Sequence, residues 1–130
     1  REGLNQKRKA ILGSQILVIG VAYKKNVNDV RESPALDVMK LLENDGAELS
    51  FYDPYVSFVG LNGNRMMGME KLTKETLNNS DAIVIMTDHD QIDFQFVVEN
   101  SNLIIDSRNV IKKHHSHVIK LGVGKNLDSH

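Results

Sequence analysis

A short apolar run that gives way abruptly to charge constrains the fold of this chain more than any other feature. The run, Ile16 to Ile19, is rich in β-branched residues, and Gly20 closes it. A run of this length is too short for a helix and is typical of a strand that is buried on both faces, as in parallel sheets. The chain is therefore expected to fold as an α/β domain built around this strand.

The segment after this strand combines cationic side chains with a helix start. Lys24, Lys25 and Arg31 lie in a polar loop, and Ser33-Pro34 follows it. A serine at the N-cap accepts a hydrogen bond from an otherwise unpaired backbone N–H, and proline is well suited to the first helical position. A cationic loop between a strand end and a helix N-terminus is well arranged to bind an anion, and phosphate is the obvious candidate.

Strand and helix patterns alternate along the rest of the chain. The predicted elements are a helix at 34–45, a strand at 47–52, a long surface loop with room for a hairpin at 55–69, a short helix at 74–79, a strand at 82–86, a short helix ending near 100, a strand at 103–105 and a last strand at 118–121. This alternation predicts a mostly parallel sheet with helices on both faces, in the strand order second, first, third, fourth, with the last strand at the far edge.

The predicted strand order reverses beside the first strand. In such sheets, ligands bind outside the carboxyl ends of the strands that flank the reversal. The residues at those ends are Tyr23 and Lys24, then 87–90, then 106–109. We therefore expect one lysine, the arginine at position 108 and several small hydrogen-bonding side chains to lie close together.

Composition excludes several kinds of site. The chain has 130 residues, of which 41% are hydrophobic and 25% charged, as is usual for one globular domain. Its formal net charge of −1 argues against non-specific nucleic-acid binding. It has no cysteine, which excludes disulfides, thiolate metal sites and a cysteine nucleophile within these residues. No apolar run approaches the roughly 20 residues of a membrane-spanning helix, and no secretory signal is visible, so we expect a cytoplasmic protein that does not enter a membrane.

The first residues differ in character from the rest. The segment from Arg1 to Ala10 places Leu4 among charges and amides, which suits the end of an exposed helix. We therefore expect residues 1–13 to be the end of a helix that connects two domains and residues 14–130 to be one domain. The absence of an initiator methionine indicates a fragment or a processed chain.

Each cationic candidate also has a structural interpretation. Lys24 could be a solvated lysine, and Arg31 could simply pair with Asp29 or with Glu32. For Arg108 the functional interpretation is favoured, because its loop also contains Asp106 and Asn109, which can hold the guanidinium.

The other candidate sites have weaker support. His114, His115 and His117 form the one histidine cluster, but no acid or thiolate ligands at suitable spacing accompany them, so a metal site is not predicted. Asp88-His89-Asp90 could supply a base with its orienting carboxylate, although capping of the following turn is the favoured interpretation. The glycine-rich fingerprint of dinucleotide-binding folds is absent, and so is the carboxylate cluster of receiver domains. No catalytic residue is predicted.

Three stretches of the sequence match a known pattern. Residues 20–56, GVAYKKNVNDVRESPALDVMKLLENDGAELSFYDPYV, closely resemble the C-terminal, UDP-binding domain of the UDP-glucose/GDP-mannose dehydrogenase family. The pattern continues in Thr87-Asp88-His89 and in Asp106-Ser107-Arg108, so the resemblance covers most of the chain from about Leu4 to Asn109. The fold that it implies is a Rossmann-like three-layer α/β domain.

The resemblance also implies a function. Enzymes of this family combine an N-terminal NAD-binding domain, a central dimerisation region and a domain like this one, and they are expected to form homo-oligomers. They oxidise the C6 alcohol of a nucleotide sugar to a carboxylate in two hydride transfers to NAD, through a thioester on a cysteine. That cysteine lies outside the part of the pattern matched here, so this chain alone is expected to be inactive. Within the family, the sequence Val-Ala-Tyr-Lys at residues 21–24 and the overall similarity resemble the UDP-N-acetylhexosamine 6-dehydrogenases most.

Residue roles follow from the resemblance position by position. Tyr23 and Lys24 match residues that approach the UDP-sugar, and Arg108 matches an arginine that helps to hold it. Arg31 matches an arginine that reaches the NAD of the neighbouring domain. The alternative is a detached nucleotide-sugar-binding or assembly module that keeps the fold without the reaction.

Overall fold

Residues 11–121 of the chain are described by a computed structural model. Its elements are the strands β1 (Gln15–Ile19), β2 (Glu48–Tyr52), β3 (Phe58–Leu61), β4 (Asn64–Met67), β5 (Ala82–Ile85), β6 (Ile104–Asp106) and β7 (Val118–Lys120), and the helices α1 (Pro34–Asn44), α2 (Lys74–Asn79) and α3 (Phe94–Asn100). The helix predicted for Arg1 to Ala10 lies outside the described residues.

The main sheet is five-stranded and parallel, in the order β2-β1-β5-β6-β7. This is the order predicted from the sequence, with β2 and β7 at the two edges. The reversal of strand order falls between β1 and β5, whose paired residues run from Ile16 opposite Ala82 to Ile19 opposite Ile85. The loop predicted for 55–69 contains the antiparallel hairpin β3–β4.

Apolar side chains cover both faces of the sheet, which confirms the three-layer prediction. On one face, Val18 and Phe51 pack with Met39 of α1 and with Val59 and Leu61 of the hairpin. The opposite face packs against α2 and α3 through residues that include Leu17, Ile19, Leu77, Ile83, Ile85, Val97 and Ile104. The alternation of inward side chains along β1 places Val18 and Leu17 in different layers, so the central strand is buried on both sides as predicted.

Local signals set the ends of α1. The Ser33 hydroxyl accepts a hydrogen bond from the Ala35 N–H at 3.2 Å, and Pro34 occupies the first turn. The helix ends with Asp45 as C-cap, and Gly46 follows at φ 95°, a left-handed conformation that glycine adopts without strain. Ser33 also donates to the Ala22 carbonyl at 3.4 Å, which ties the helix start to the loop after β1.

No helix within residues 11–121 is long and apolar enough to cross a membrane.

Candidate functional site

The loops at the carboxyl ends of β1 and β5 touch at the reversal point of the sheet. Gly20 has φ 85°, and a Cβ atom at this position would lie 2.4 Å from the Thr87 carbonyl oxygen. The Thr87 hydroxyl donates to the Ala22 carbonyl at 2.8 Å. The loop after β1 is thus held against the loop after β5, and only glycine fits where the two backbones meet.

A buried carboxylate fixes the start of the cationic loop. Asp53 lies just after β2, and its Oδ2 accepts hydrogen bonds from the backbone N–H groups of Val21 at 2.8 Å and Ala22 at 3.1 Å. Its Oδ1 accepts from the Tyr55 N–H at 2.8 Å. The Nε2 atom of His89 lies 2.8 Å from the same Oδ2, and both side chains are fully buried. A carboxylate with four donors around it is well paired despite its burial.

Asn26 connects the middle of this loop to the segment after β5. Its backbone N–H donates to Nδ1 of His89 at 2.7 Å, its side-chain amide donates to Asp90 at 2.8 Å, and its side-chain oxygen accepts from the Asp90 N–H at 3.0 Å. Asn26 adopts φ 64°, in the left-handed region that asparagine tolerates well. Lys25 pairs with Asp90 at 3.3 Å. The Asn26 hydrogen bond, followed by the Lys25 interaction, lowers the pKa of the Asp90 carboxyl below its ordinary value.

A second buried carboxylate shapes the loop after β6. Asp106 accepts hydrogen bonds from the backbone N–H groups of Arg108, Val110 and Ile111 at 2.9–3.2 Å. The sequence had predicted that Asp106 and Asn109 hold the Arg108 guanidinium, and this was wrong. Asp106 is fully buried and is occupied by the backbone, so it orients the loop that carries Arg108 rather than the guanidinium itself.

Arg108 and Lys25 line the same surface depression. Asp88, Asp90, Asn109 and Lys112 line it as well. The Arg108 Nε atom faces Oδ1 of Asp88 at 3.9 Å, and this buried oxygen has no hydrogen-bond partner among residues 11–121. Three cationic residues around one depression can bind an anionic group such as a phosphate, and an arginine can do so through two parallel N–H donors.

Tyr23 and Arg31 line a different depression. Asp29 and Glu32 complete its lining. Arg31 binds the Asp29 carboxylate with Nε at 3.1 Å and Nη2 at 3.0 Å, which is the first of the two ion pairs considered from the sequence. This hydrogen-bonded pair lowers the pKa of Asp29 and raises that of Arg31. The Arg31 side chain remains 88% exposed, so the pair does not remove the guanidinium from the surface.

Lys24 is exposed and makes no ion pair within residues 11–121. The lysine that lines the depression with Arg108 is its neighbour Lys25. The predicted strand order implied that Lys24 lies beside Arg108, and this was wrong, since Lys25 takes that position. Lys24 and Tyr23 project from the same loop with exposed side chains.

The polar residues that organise these loops were not assigned from the sequence. His89 is not an exposed base, because its side chain is buried against Asp53, and its two ring nitrogens contact Asn26 and Asp53 rather than the following turn. One signal could have found the carboxylates: Asp53 and Asp106 each stand at the carboxyl end of a predicted strand. A buried acidic residue at this position has the N–H groups of the next loop within reach.

The histidine cluster takes a structural position. His117 contacts the Val98 carbonyl through Nε2 at 2.8 Å, and its ring packs edge-on against His115 at 5.7 Å between centroids. In the part of the chain that the structure describes, no group of three or more His, Asp or Glu residues is arranged to hold a metal ion.

Known proteins are similar to this chain in sequence and in fold. A UDP-N-acetyl-D-mannosamine dehydrogenase of Pyrococcus horikoshii is 33% identical over 115 residues, which cover 85% of this chain and 25% of that protein. A UDP-glucose 6-dehydrogenase of Rhizobium meliloti is 32% identical over 112 residues, covering 79% of this chain and 25% of that protein. The solved structure of the UDP-D-ManNAc dehydrogenase of Pyrococcus horikoshii superposes with a TM-score of 0.68 at 30% identity, covering 95% of this chain and 29% of that one.

The matches therefore cover most of this chain but only a part of each relative. The chain spans about a quarter of the length of these curated relatives. The model of the UDP-glucose/GDP-mannose dehydrogenase family, UDP binding domain, matches residues 17–113, which include both buried carboxylates and the loops that they hold. The chain belongs to the UDP-glucose/GDP-mannose dehydrogenase family and carries its UDP-binding domain.

Proposed function

We propose that this chain is the nucleotide-sugar-binding part of an NAD-dependent nucleotide-sugar 6-dehydrogenase of the cytoplasm. The substrate would be a UDP-hexose or a UDP-N-acetylhexosamine, whose C6 alcohol is oxidised to the uronate in two hydride transfers. The observation that supports this best is the depression shared by Arg108 and Lys25 at the reversal point of the sheet, in a chain of the UDP-binding family.

The chemistry of this depression suits a diphosphate. Arg108 can offer two parallel N–H donors to phosphate oxygens, and Lys25 adds a point charge on the facing loop. Hydrogen bonds of this charge-assisted kind are each worth about 1.5–3 kcal/mol. We assign Tyr23, Lys24 and Arg108 to the UDP-sugar, as the family pattern implies, and add Lys25 on the basis of its position.

Arg31 is assigned to the cofactor. Its guanidinium is exposed and uses Nε and Nη2 on Asp29, which leaves further N–H donors free to meet a phosphate of NAD. NAD, when bound mainly by a separate N-terminal domain, would accept the hydride. The role of Arg31 in this chain would be to bring positive charge to the face that the cofactor approaches.

The proposed domain arrangement of the whole protein follows from the same family. Residues 1–13 would end a helix from a central dimerisation region, and residues 14–130 would close over the sugar nucleotide as one domain. The intact protein would be a homo-oligomer, and its catalytic cysteine would lie outside this chain. No catalytic residue is assigned within the chain itself.

The first test measures binding of UDP and UDP-sugars to the 130-residue chain by calorimetry. Wild type should bind, and Arg108→Ala or Lys24→Ala should weaken binding tenfold or more, whereas Lys40→Ala, which removes an exposed lysine on α1, should leave it unchanged. Equal affinity in all four proteins would contradict the assigned site.

The second test separates an enzyme from a binding module. The complete reading frame would be expressed and assayed for UDP-sugar-dependent reduction of NAD. Turnover that falls tenfold or more in Arg108→Ala supports the dehydrogenase. Binding of UDP-sugar without any NAD reduction by the complete protein would favour the detached module instead.

A further inference from the structure

From the protein interior, His89 joins the two sides of the Tyr23–Lys25 segment of the cationic loop. Its side chain has no exposed surface, it lies 2.8 Å from Asp53 through Nε2, and its Nδ1 lies 2.7 Å from the backbone nitrogen of Asn26. The ring also packs against Tyr55 at 4.8 Å between centroids. Both ring nitrogens are therefore used by the protein, and neither faces solvent.

The hydrogen-bond partners determine the tautomer of this ring. A backbone N–H can only donate, so Nδ1 of His89 must accept from Asn26 and carries no proton. Nε2 then carries the ring proton and donates it to the Asp53 carboxylate. The imidazole is thus an acceptor toward the loop and a donor toward the end of β2.

This arrangement encloses Tyr23, Lys24 and Lys25, three of the four residues assigned to the UDP-sugar. The Oδ2 atom of Asp53 accepts from the backbone of Val21 and Ala22, which precede Tyr23-Lys24-Lys25, while His89 accepts from Asn26, which follows them. One buried carboxylate and one buried imidazole therefore hold both ends of the segment.

We propose that His89 is a positioning residue for the nucleotide-sugar site, because its Nδ1 acceptor fixes the Tyr23–Lys25 segment in the conformation that binds the diphosphate. The inference rests on the proposed function for the identity of the ligand. It goes further by assigning a role to a residue that does not touch the ligand. Of the two hydrogen bonds of the His89 ring, the one to Asn26, rather than the one to Asp53, is required for ligand binding.

Two substitutions separate the two halves of this contact. His89→Asn places an amide oxygen near the position of Nδ1, so it keeps an acceptor for Asn26 and loses the donor to Asp53. His89→Gln places an amide nitrogen near the position of Nε2, so it keeps the donor to Asp53 and loses the acceptor. Asp53 retains its three backbone donors in both variants. His114→Gln, at an exposed histidine, is the matched control.

The experiment uses the full 130-residue chain and has three measurements. These are the urea midpoint, the amide hydrogen-exchange rates of residues 23–26 without ligand, and the affinity for UDP. We expect His89→Gln to raise the exchange rate of Asn26 and to weaken UDP binding by tenfold or more each, while His89→Asn stays within threefold of wild type. His114→Gln should match wild type in all three.

The outcomes distinguish this inference from the proposed function. In one outcome, both His89 variants lose UDP affinity in proportion to the fall in their urea midpoints, and the amide exchange rate of Asn26 is the same in both. That result would show a purely structural role and overturn the inference. If the wild-type chain does not bind UDP, the assigned ligand fails, and the exchange rates alone then decide whether the acceptor holds the segment. Equal exchange at Asn26 in both variants would refute it in that case too.

Discussion

The Nε atom of Arg108 lies 3.9 Å from Oδ1 of Asp88, beyond hydrogen-bond distance, and that oxygen has no hydrogen-bond partner within residues 11–121. Asp88 therefore lies beside Arg108, the residue assigned to the phosphate, without forming a hydrogen bond to it. If Arg108 binds a diphosphate, as proposed above, the negative charge of Asp88 at 3.9 Å repels that ligand.

This relationship predicts tighter nucleotide binding when the charge of Asp88 is removed. Asp88→Asn keeps the shape of the side chain and should strengthen UDP binding by about 0.5–1 kcal/mol, the scale of a partly exposed ion pair and roughly a twofold to fivefold change. Calorimetry at low and high salt checks the origin of the effect, because screening should reduce it at high salt. Unchanged or weaker binding at low salt would show instead that Asp88 orients Arg108.

The contact between Gly20 and Thr87 predicts a large stability difference between two glycine substitutions. Gly20→Ala adds a left-handed alanine, at about 1–2 kcal/mol, and a Cβ atom 2.4 Å from the Thr87 carbonyl oxygen, at about a further 1–3 kcal/mol. Gly63 also has a positive φ, of 83°, but a Cβ there would meet nothing within 4 Å. Gly63→Ala should therefore show only the first cost. Urea denaturation measures both variants, and equal losses would mean that the loops separate to admit the methyl group.

The sequence predicted the layers and the strand order because these depend on short-range patterns. The length and composition of apolar runs such as Ile16–Ile19 identify buried strands, and the alternation with helices leaves few possible sheet orders. The Ser-Pro start and Gly46 are local signals, so the helix that starts at Pro34 could be predicted from the sequence. Its predicted end, Asp45, lies one residue beyond its observed last residue.

The internal supports of the site could not be predicted in the same way. His89 meets Asp53 across 36 residues and Asn26 across 63, and no period in the sequence relates them. The choice between Lys24 and Lys25 in the Arg108 depression is equally non-local. It depends on an irregular loop in which Asn26 takes a left-handed conformation and binds Asp90.

The buried carboxylate of Asp106 predicts a marked loss of stability on a nearly isosteric change. Asp106→Asn leaves one oxygen for three backbone N–H donors and turns an amide N–H₂ toward at least one of them. Since hydrogen bonds to charged groups contribute about 1.5–3 kcal/mol, the free energy of unfolding should fall by at least that amount. Asp45→Asn, at the exposed C-cap of α1, is the control and should change it by less than about 0.5 kcal/mol. A matching small effect at both positions would contradict the role of Asp106 in the loop.

The hydrogen bond between Asn26 and Asp90 predicts a pH-dependent contribution to the stability of the loop after β1. Because the pKa of Asp90 is lowered in the folded protein, first by the Asn26 side chain and then by Lys25, this contribution is present above the unfolded pKa and is lost as the pH falls through the folded pKa. Asn26→Gly keeps the left-handed backbone accessible and removes the side chain, so the pKa of Asp90 should rise toward its ordinary value. NMR titration of the Asp90 carboxyl carbon measures the shift. Lys25→Gln should also raise this pKa, because it removes a hydrogen bond and a positive charge. An unchanged pKa of Asp90 in Asn26→Gly would contradict the role of the Asn26 side chain.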